Sequence, residues 1–276
     1  MIREEDVARH YAAGDLMGRI VAALRQAGVD PDRPTAADLA PLDEFHIGGA
    51  AATEAFAAKL PFTAGHRLLD VGSGLGGPAR FLARRFGAHV TGIDLTREYV
   101  EVARRLSELT GQADRTVFDV GSALAMPYGD RSFEGAITIH VAMNIQDRER
   151  LYAEIGRVLH PGAVFGLYDV MRGGTSAPLD YPVPWAMTSQ TSRVTTPGET
   201  QALLGEAGFE IVEFEDRTAH ARDFFQRVMA AAKQSGPPPV GLHLLTGATH
   251  GQKFSNMLSA LTDGRLAPGM IVARKR

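Results

Sequence analysis

The chain has 276 residues, a formal net charge of −3 and no cysteine. That length suits one large domain with a well-buried core, or one domain plus an insertion. The near-neutral charge, with no basic stripe, argues against nucleic-acid binding by phosphate neutralisation, and the absence of cysteine excludes a disulfide framework, a thiolate zinc site and a thiol nucleophile.

The first residues, Met1 to Asp6, are charged and lack an apolar signal core. No apolar run approaches the ~20 residues that span a bilayer. A cytoplasmic enzyme without a membrane partner is the expectation. Residues 4–28 read as one or two helices, because Val7, Tyr11, Leu16, Ile20, Val21 and Leu24 recur at helical spacing. Gly28, Pro31 and Pro34 end that pattern. These helices precede the sheet, so they are placed as a cap over the active site. Thr35 to Leu39 reads as a short helix, and an Ala-rich helix follows at about 50–60. Between them lies Phe45-His46-Ile47-Gly48-Gly49, a candidate turn in which His46 is either a site residue or a satisfied histidine.

Residues 66–81 then organise the chain. Leu68 and Leu69 read as a buried parallel strand, Asp70 stands at its end, and Gly72, Gly74, Gly76 and Gly77 follow. Pro78 suits the first turn of the next helix, where its missing N–H has no partner to lose. Glycines let the backbone turn sharply and let a ligand approach it. In open α/β sheets, ligands bind at the carboxyl ends of the strands. A purely structural turn would need one such glycine rather than four behind an acid, so this is read as a cofactor loop.

Gly72, Gly74 and Gly77 also satisfy the dinucleotide pattern, with Asp94 about 20 residues beyond. Asp70 opposes that alternative, because its carboxylate would repel a pyrophosphate. It suits a ligand that carries an ammonium and no phosphate, such as S-adenosylmethionine.

Strands read at about 67–71, 88–93, 115–119, 134–139 and 163–169, with helices at about 78–86, 96–109 and 147–159. This βαβα alternation predicts an α/β parallel sheet with helices on both faces. A helix at about 197–207, a strand at 209–214 and a last strand at 270–274 complete it. Residues 171–196 and 218–262 break the alternation and are too long for plain connections. They are read as the acceptor-site wall and lid. The domain reading is a helical cap over residues 1–62 and a binding domain over 63–276 that carries both insertions.

Four segments carry a family resemblance. Leu69-Asp70-Val-Gly-Ser-Gly-Leu-Gly-Gly77 resembles motif I of the class I S-adenosylmethionine-dependent methyltransferases. Val90 to Leu95 resembles their second strand, Ala125 to Phe133 their segment before strand four, and Arg157 to Gly162 their segment before strand five. The resemblance covers most of residues 45–215. It implies a seven-stranded, mostly parallel Rossmann-like sheet, with the last strand antiparallel between strands five and six. It also implies S-adenosylmethionine as cofactor and S-adenosylhomocysteine as product.

Carried residue by residue, the resemblance places Asp70, Gly72, Ser73 and Gly74 along the methionyl half of the cofactor. Asp94 would accept both ribose hydroxyls, Leu95 would pack on the adenine, and the Ala123 amide would serve the ring. Ser122 stands where the family usually has an acid for the adenine amine; Asp119 is a candidate substitute.

Further segments resemble the glycine, sarcosine and dimethylglycine N-methyltransferases: Phe45 to Gly49, Ile139 to Asn144, Tyr181-Pro-Val-Pro-Trp185 and Gly241 to Leu245. They imply that His140 sits at the carboxyl edge beside cofactor and acceptor, where it takes or relays a proton. A histidine that only fixes the loop is the competing reading. His46, Tyr11, Met143, Asn144, Tyr181 and Trp185 would face the acceptor, and Arg172 or Arg193 would hold an acceptor carboxylate. His243 and His250 would line the lid. No H-E-x-x-H spacing indicates a metal.

The reading is a methyltransferase acting on a small-molecule acceptor, with an amine or amino-acid nitrogen favoured. Oxygen or carbon methylation of a natural product or quinone is the alternative. A cofactor-holding sensor and a dinucleotide oxidoreductase are the remote rivals.

Overall fold

Alternation along the strands sets up the architecture. In β1 (Arg67–Val71), Leu68 joins one buried cluster while Leu69 and Val71 join another, as a period of two requires. The same split recurs in β2 (His89–Asp94), where Val90 and Ile93 part, and in β4 (Phe133–Ile139), where Ile137 and Ala136 part. In β5 (Leu159–Asp169), Val164 and Tyr168 face one way and Phe165 and Leu167 the other. Strands that are apolar on both faces belong in the middle of a covered sheet. Each such buried side chain contributes roughly 1.5–3 kcal/mol.

The structure is a computed structural model that describes residues 4–11 and 14–276. With β3 (Thr116–Val120), β6 (Phe209–Asp216) and β7 (Gly269–Lys275), the strands form one sheet in the order β3-β2-β1-β4-β5-β7-β6. Every pairing is parallel except those of β7, which runs antiparallel between β5 and β6. The order reverses between β1 and β4, so a crevice opens there at the carboxyl ends of the strands.

Before the sheet come α1 (Glu4–Tyr11), α2 (Leu16–Gln26), α3 (Ala36–Asp43) and α4 (Gly49–Ala57). Thr35 and Asp38 form a capping box that starts α3. Leu16, Ile20 and Leu24 of α2 and Leu39 and Leu42 of α3 bury against Leu75 and against Tyr99, Val102 and Leu106 of α6 (Arg97–Leu109). The N-terminal helices therefore pack on the glycine turn and its neighbour. Residues 1–3, 12 and 13, which the cap expectation included, lie outside the described residues.

α5 (Gly77–Phe86) and α7 (Arg148–Val158) lie between strands, and α8 (Pro197–Glu206) precedes β6. The sheet segments match the expected ones within a few residues. The largest shift is β5, which starts at Leu159 because Leu159 pairs with Phe133 before the β4–β5 register slips. The second insertion holds three α-helices: α9 (Thr218–Ser235), α10 (His243–Thr246) and α11 (His250–Thr262).

Candidate active site

A cavity of about 600 Å³ occupies the crevice, within the ~300–1,000 Å³ usual for small-ligand sites. The ends of β1, β2 and β4 form its floor; Val7 and Tyr11 of α1, Phe224 and Phe225 of α9, and Phe254 and Met257 of α11 contribute to its walls.

One half is polar and built from backbone. Gly72 has φ +76°, which side-chain-bearing residues rarely adopt, and a Cβ there would overlap Val141. Its N–H and that of Ser73 donate to the Ile93 carbonyl at 2.8 and 3.1 Å, tying the turn to β2. The Gly74 N–H donates to Asp94 Oδ2 at 2.9 Å, and the Thr96 N–H donates to Asp94 Oδ1 at 2.8 Å. Each Asp94 oxygen thus keeps lone-pair capacity for a ligand hydroxyl.

Asp70 is 2% exposed and its Oδ2 has no hydrogen-bond partner among the described residues. Burial, and then the nearby Asp94, push its carboxyl up to about 7. An orphaned buried carboxylate of this kind is unfavourable unless a ligand supplies a donor. The Ser73 Oγ beside it is also buried and unpartnered. Leu95, Gly121, Ala123 and Leu124 continue this half. An ammonium at Asp70 and a diol at Asp94, with no phosphate, describe the S-adenosylmethionine that motif I implies, so the residues present fit it.

The other half is mainly aromatic and apolar. His140, just past β4, has φ +54°. For a residue with a side chain this conformation costs on the order of 1–3 kcal/mol. Its N–H donates to the Tyr168 carbonyl at 2.7 Å, and its ring meets the Tyr168 ring edge-on at 4.7 Å and the His46 ring at 5.9 Å. Its Nε2 is buried and unpartnered. Burial, and then His46, hold the imidazole well below the usual range, so it is neutral at pH 7. His46 also lines the cavity, with its pKa pushed down to about 4 by burial.

The Tyr11 hydroxyl donates to Asn144 Oδ1 at 2.8 Å, and Asn144 Nδ2 donates to the Trp185 and Thr191 carbonyls at 2.9 and 3.2 Å. Asn144 lines the cavity, but its amide is engaged in pinning α1 to the 171–196 segment. Trp185, 2% exposed, lines the cavity and donates from Nε1 to Ser192 Oγ at 2.9 Å. Met143 and Arg193 also line it.

Six expected site residues lie elsewhere. Ser122 is not part of the lining: its hydroxyl donates to Glu4 Oε1 and accepts the Leu124 N–H at 3.0 Å. Asp119 does not replace it, because it accepts the Tyr128 hydroxyl at 3.0 Å. Arg172 turns away and donates to the Ser176 and Ala177 carbonyls, which leaves Arg193 as the guanidinium of that pair in the lining. Tyr181 packs against the core outside the lining, as its apolar ring favours. His243 and His250 also miss it; His250 Nδ1 pairs with Thr246 Oγ1 at 2.6 Å.

The sequence reading missed Tyr99, whose buried hydroxyl is unpartnered, and Phe224, Phe225, Phe254 and Met257. Tyr99 lies one helical turn beyond the α6 cap at Thr96, a position readable from the strand–helix pattern. The others sit on helices whose inward faces no motif marks. Among the described residues no group of three His, Cys, Asp or Glu side chains could hold a metal ion. No helix among them is long and apolar enough to cross a membrane.

A family model described as a methyltransferase domain matches residues 69–167. Methyltransferase GfsG of Streptomyces halstedii is 34% identical over 196 residues, which is 70% of each protein. An O-methyltransferase of Pyrenophora dematioidea is 28% identical over 210 residues, 75% of this chain and 76% of its own. A crystal structure of geranyl diphosphate C-methyltransferase from Streptomyces coelicolor, with S-adenosyl-L-homocysteine bound, superposes with a TM-score of 0.72. It covers 99% of this chain and 98% of its own at 17% identity, a likeness of fold alone.

Proposed function

The chain belongs to the class I S-adenosylmethionine-dependent methyltransferases, and from that premise we propose that it methylates a hydroxyl oxygen of a predominantly apolar small molecule. The observation that carries this reading is the lining of the acceptor half. Trp185, Phe224, Phe225, Phe254 and Met257 surround it, and the polar groups beside them include two neutral histidines, His46 and His140. An apolar acceptor gains from burial against such a wall at about 25 cal/mol per Å². A zwitterionic amino acid would gain less there, because Arg193 could meet its carboxylate but the aromatic wall offers its remaining polar surface no hydrogen bonds.

Bound S-adenosylmethionine supplies an electrophilic methyl group. The chain's own residues hold it and shape the reaction around it. Asp70 pairs with the ammonium, Asp94 accepts the ribose hydroxyls and Leu95 packs on the adenine. The transfer is an in-line displacement that needs alignment and exclusion of water more than a strong base. His140, neutral and with an unpartnered Nε2, is placed to hold and align the acceptor's reacting group. In this reading residues 1–62 act as a cap, and residues 171–196 and 218–262 act as wall and lid on the 63–276 domain.

A second reading has the acceptor implied by the subgroup segments, an amine or amino-acid nitrogen. The Trp185 ring would favour a cationic product, and Arg193 would hold a carboxylate. Radiolabelled methyl transfer to a panel of lipophilic phenols and alcohols, against glycine, sarcosine, dimethylglycine and simple amines, separates the two. Labelled methyl ethers are the expected product, with NMR distinguishing them from ring-carbon methylation. Transfer to the amines alone would overturn the hydroxyl reading.

A further inference from the structure

The two histidines of the cavity are held differently. His46 Nε2 lies 3.1 Å from the Gly49 carbonyl and 3.0 Å from Thr53 Oγ1. A carbonyl only accepts, so this bond favours a hydrogen on Nε2, and the Thr53 contact adds to that preference. The Thr53 hydroxyl donates its own hydrogen to Glu44 Oε2 at 2.6 Å, so towards His46 it also accepts. Both contacts select the same tautomer, and Nδ1 is left as the lone-pair nitrogen of a ring that lines the cavity.

Glu44 and Thr53 are 5% and 2% exposed, so water does not compete for these bonds. Glu44 Oε2 also lies 3.7 Å from His46 Nε2. Burial, together with the neighbouring Asp43, pushes the Glu44 carboxyl up to about 8, and burial pushes His46 down to about 4. Both side chains therefore rest neutral, and transfer of the Glu44 proton to His46 is unfavourable. The contact is therefore a neutral orienting network rather than a buried ion pair.

We propose that Thr53 and Glu44 are positioning residues that lock His46 as the Nε2–H tautomer, so that its Nδ1 lone pair receives the hydrogen bond of the acceptor hydroxyl alongside His140. This rests on the hydroxyl reading of the acceptor. In the step, the acceptor oxygen forms a bond to the methyl carbon while the carbon–sulfur bond breaks and leaves its electron pair on sulfur. The hydroxyl proton passes to Nδ1 of His46 and is lost to solvent when product leaves. His140 Nε2 holds the same oxygen and aligns it.

The test uses the full chain with ¹⁵N-labelled histidine and long-range ¹H–¹⁵N correlation spectra of its imidazoles. The wild type is expected to show His46 with a protonated Nε2 and a bare Nδ1. Thr53→Val should mix the tautomers, and Thr53→Ser should restore the wild-type pattern. With the hydroxyl acceptor that the panel selects, Thr53→Val should lower kcat roughly tenfold or more. Its Kd for S-adenosylhomocysteine should stay within about twofold of wild type, because the change removes no cofactor contact. Glu44→Met, similar in volume but without an acceptor for the Thr53 hydroxyl, gives a second variant should Thr53→Val fold poorly, with the same direction expected. A protonated Nδ1 in the wild type, or a Thr53→Val protein with unchanged tautomer and kcat, would overturn the proposal. Methylation of amines alone would overturn the hydroxyl step while the tautomer spectrum stood, so the two failures are told apart.

Discussion

The cavity's two halves are assembled in opposite ways. The cofactor half draws most of its polar groups from residues 70–74 and 94–96, at the ends of two adjacent parallel strands. Its geometry is made by backbone hydrogen bonds and by Asp94, which ties the Gly74 turn to the start of α6. The acceptor half takes Tyr11 from α1, His46 from the turn before α4, His140 and Met143 from the end of β4, Trp185 from the first insertion and Phe225 and Phe254 from the second. Its shape depends on packing between segments more than 200 residues apart in sequence. The comparison teaches that a ligand common to a family can be read by a local device, whereas a particular acceptor is selected by a surface that many separate segments share.

If the halves are independent, damage to one should leave the other's ligand untouched. The largest effect is expected from Asp94→Asn. Losing charge-assisted bonds to two hydroxyls costs about 1.5–3 kcal/mol each, so the Kd for S-adenosylhomocysteine should rise roughly 100-fold or more, read by calorimetry. An unchanged Kd would remove Asp94 from the cofactor half.

Phe225→Leu should act on the other side. It leaves a smaller apolar group in the wall and should lower kcat/KM for the acceptor roughly tenfold, as the loss of a few buried methylenes predicts. Cofactor Kd should stay within about twofold. An equal loss of cofactor affinity would show that the two halves are coupled through α9.

A smaller effect, confined to the cofactor half, should appear with pH. In the free protein the Asp70 carboxyl is raised to about 7 from its ordinary 3.8, and pairing with an ammonium lowers it again. Binding therefore releases a proton at and below neutral pH. Affinity should fall by up to about tenfold per unit as pH drops below 7, and level off above it. Asp70→Asn should abolish that slope while weakening binding.

The same group bears on stability. Its folded pKa exceeds its unfolded value, so the folded state holds the extra proton between the two, and stability falls as pH rises from about 3.8 to about 7. Asp70→Asn should therefore raise the Tm of the ligand-free protein at pH 8 by a few degrees, measured by thermal melts. A lower Tm would mean that Asp70 has a structural partner the cavity geometry does not reveal.

Much of this protein was legible from local pattern. Buried apolar pairs such as Leu68 and Leu69, four glycines behind Asp70, and the acid at Asp94 specify strand, turn and cofactor loop. Their physics acts over a few residues, through φ preference, backbone hydrogen bonds and charge. The antiparallel place of β7 followed from the family resemblance. Tertiary structure alone decided that Ser122 is spent on Glu4, that Arg172 and Tyr181 leave the site, and that Asn144 serves as a pin. It also decided that Phe224, Phe225, Phe254 and Met257 line the cavity. A side chain's partner across the fold depends on how helices pack, and short-range spacing carries no record of that.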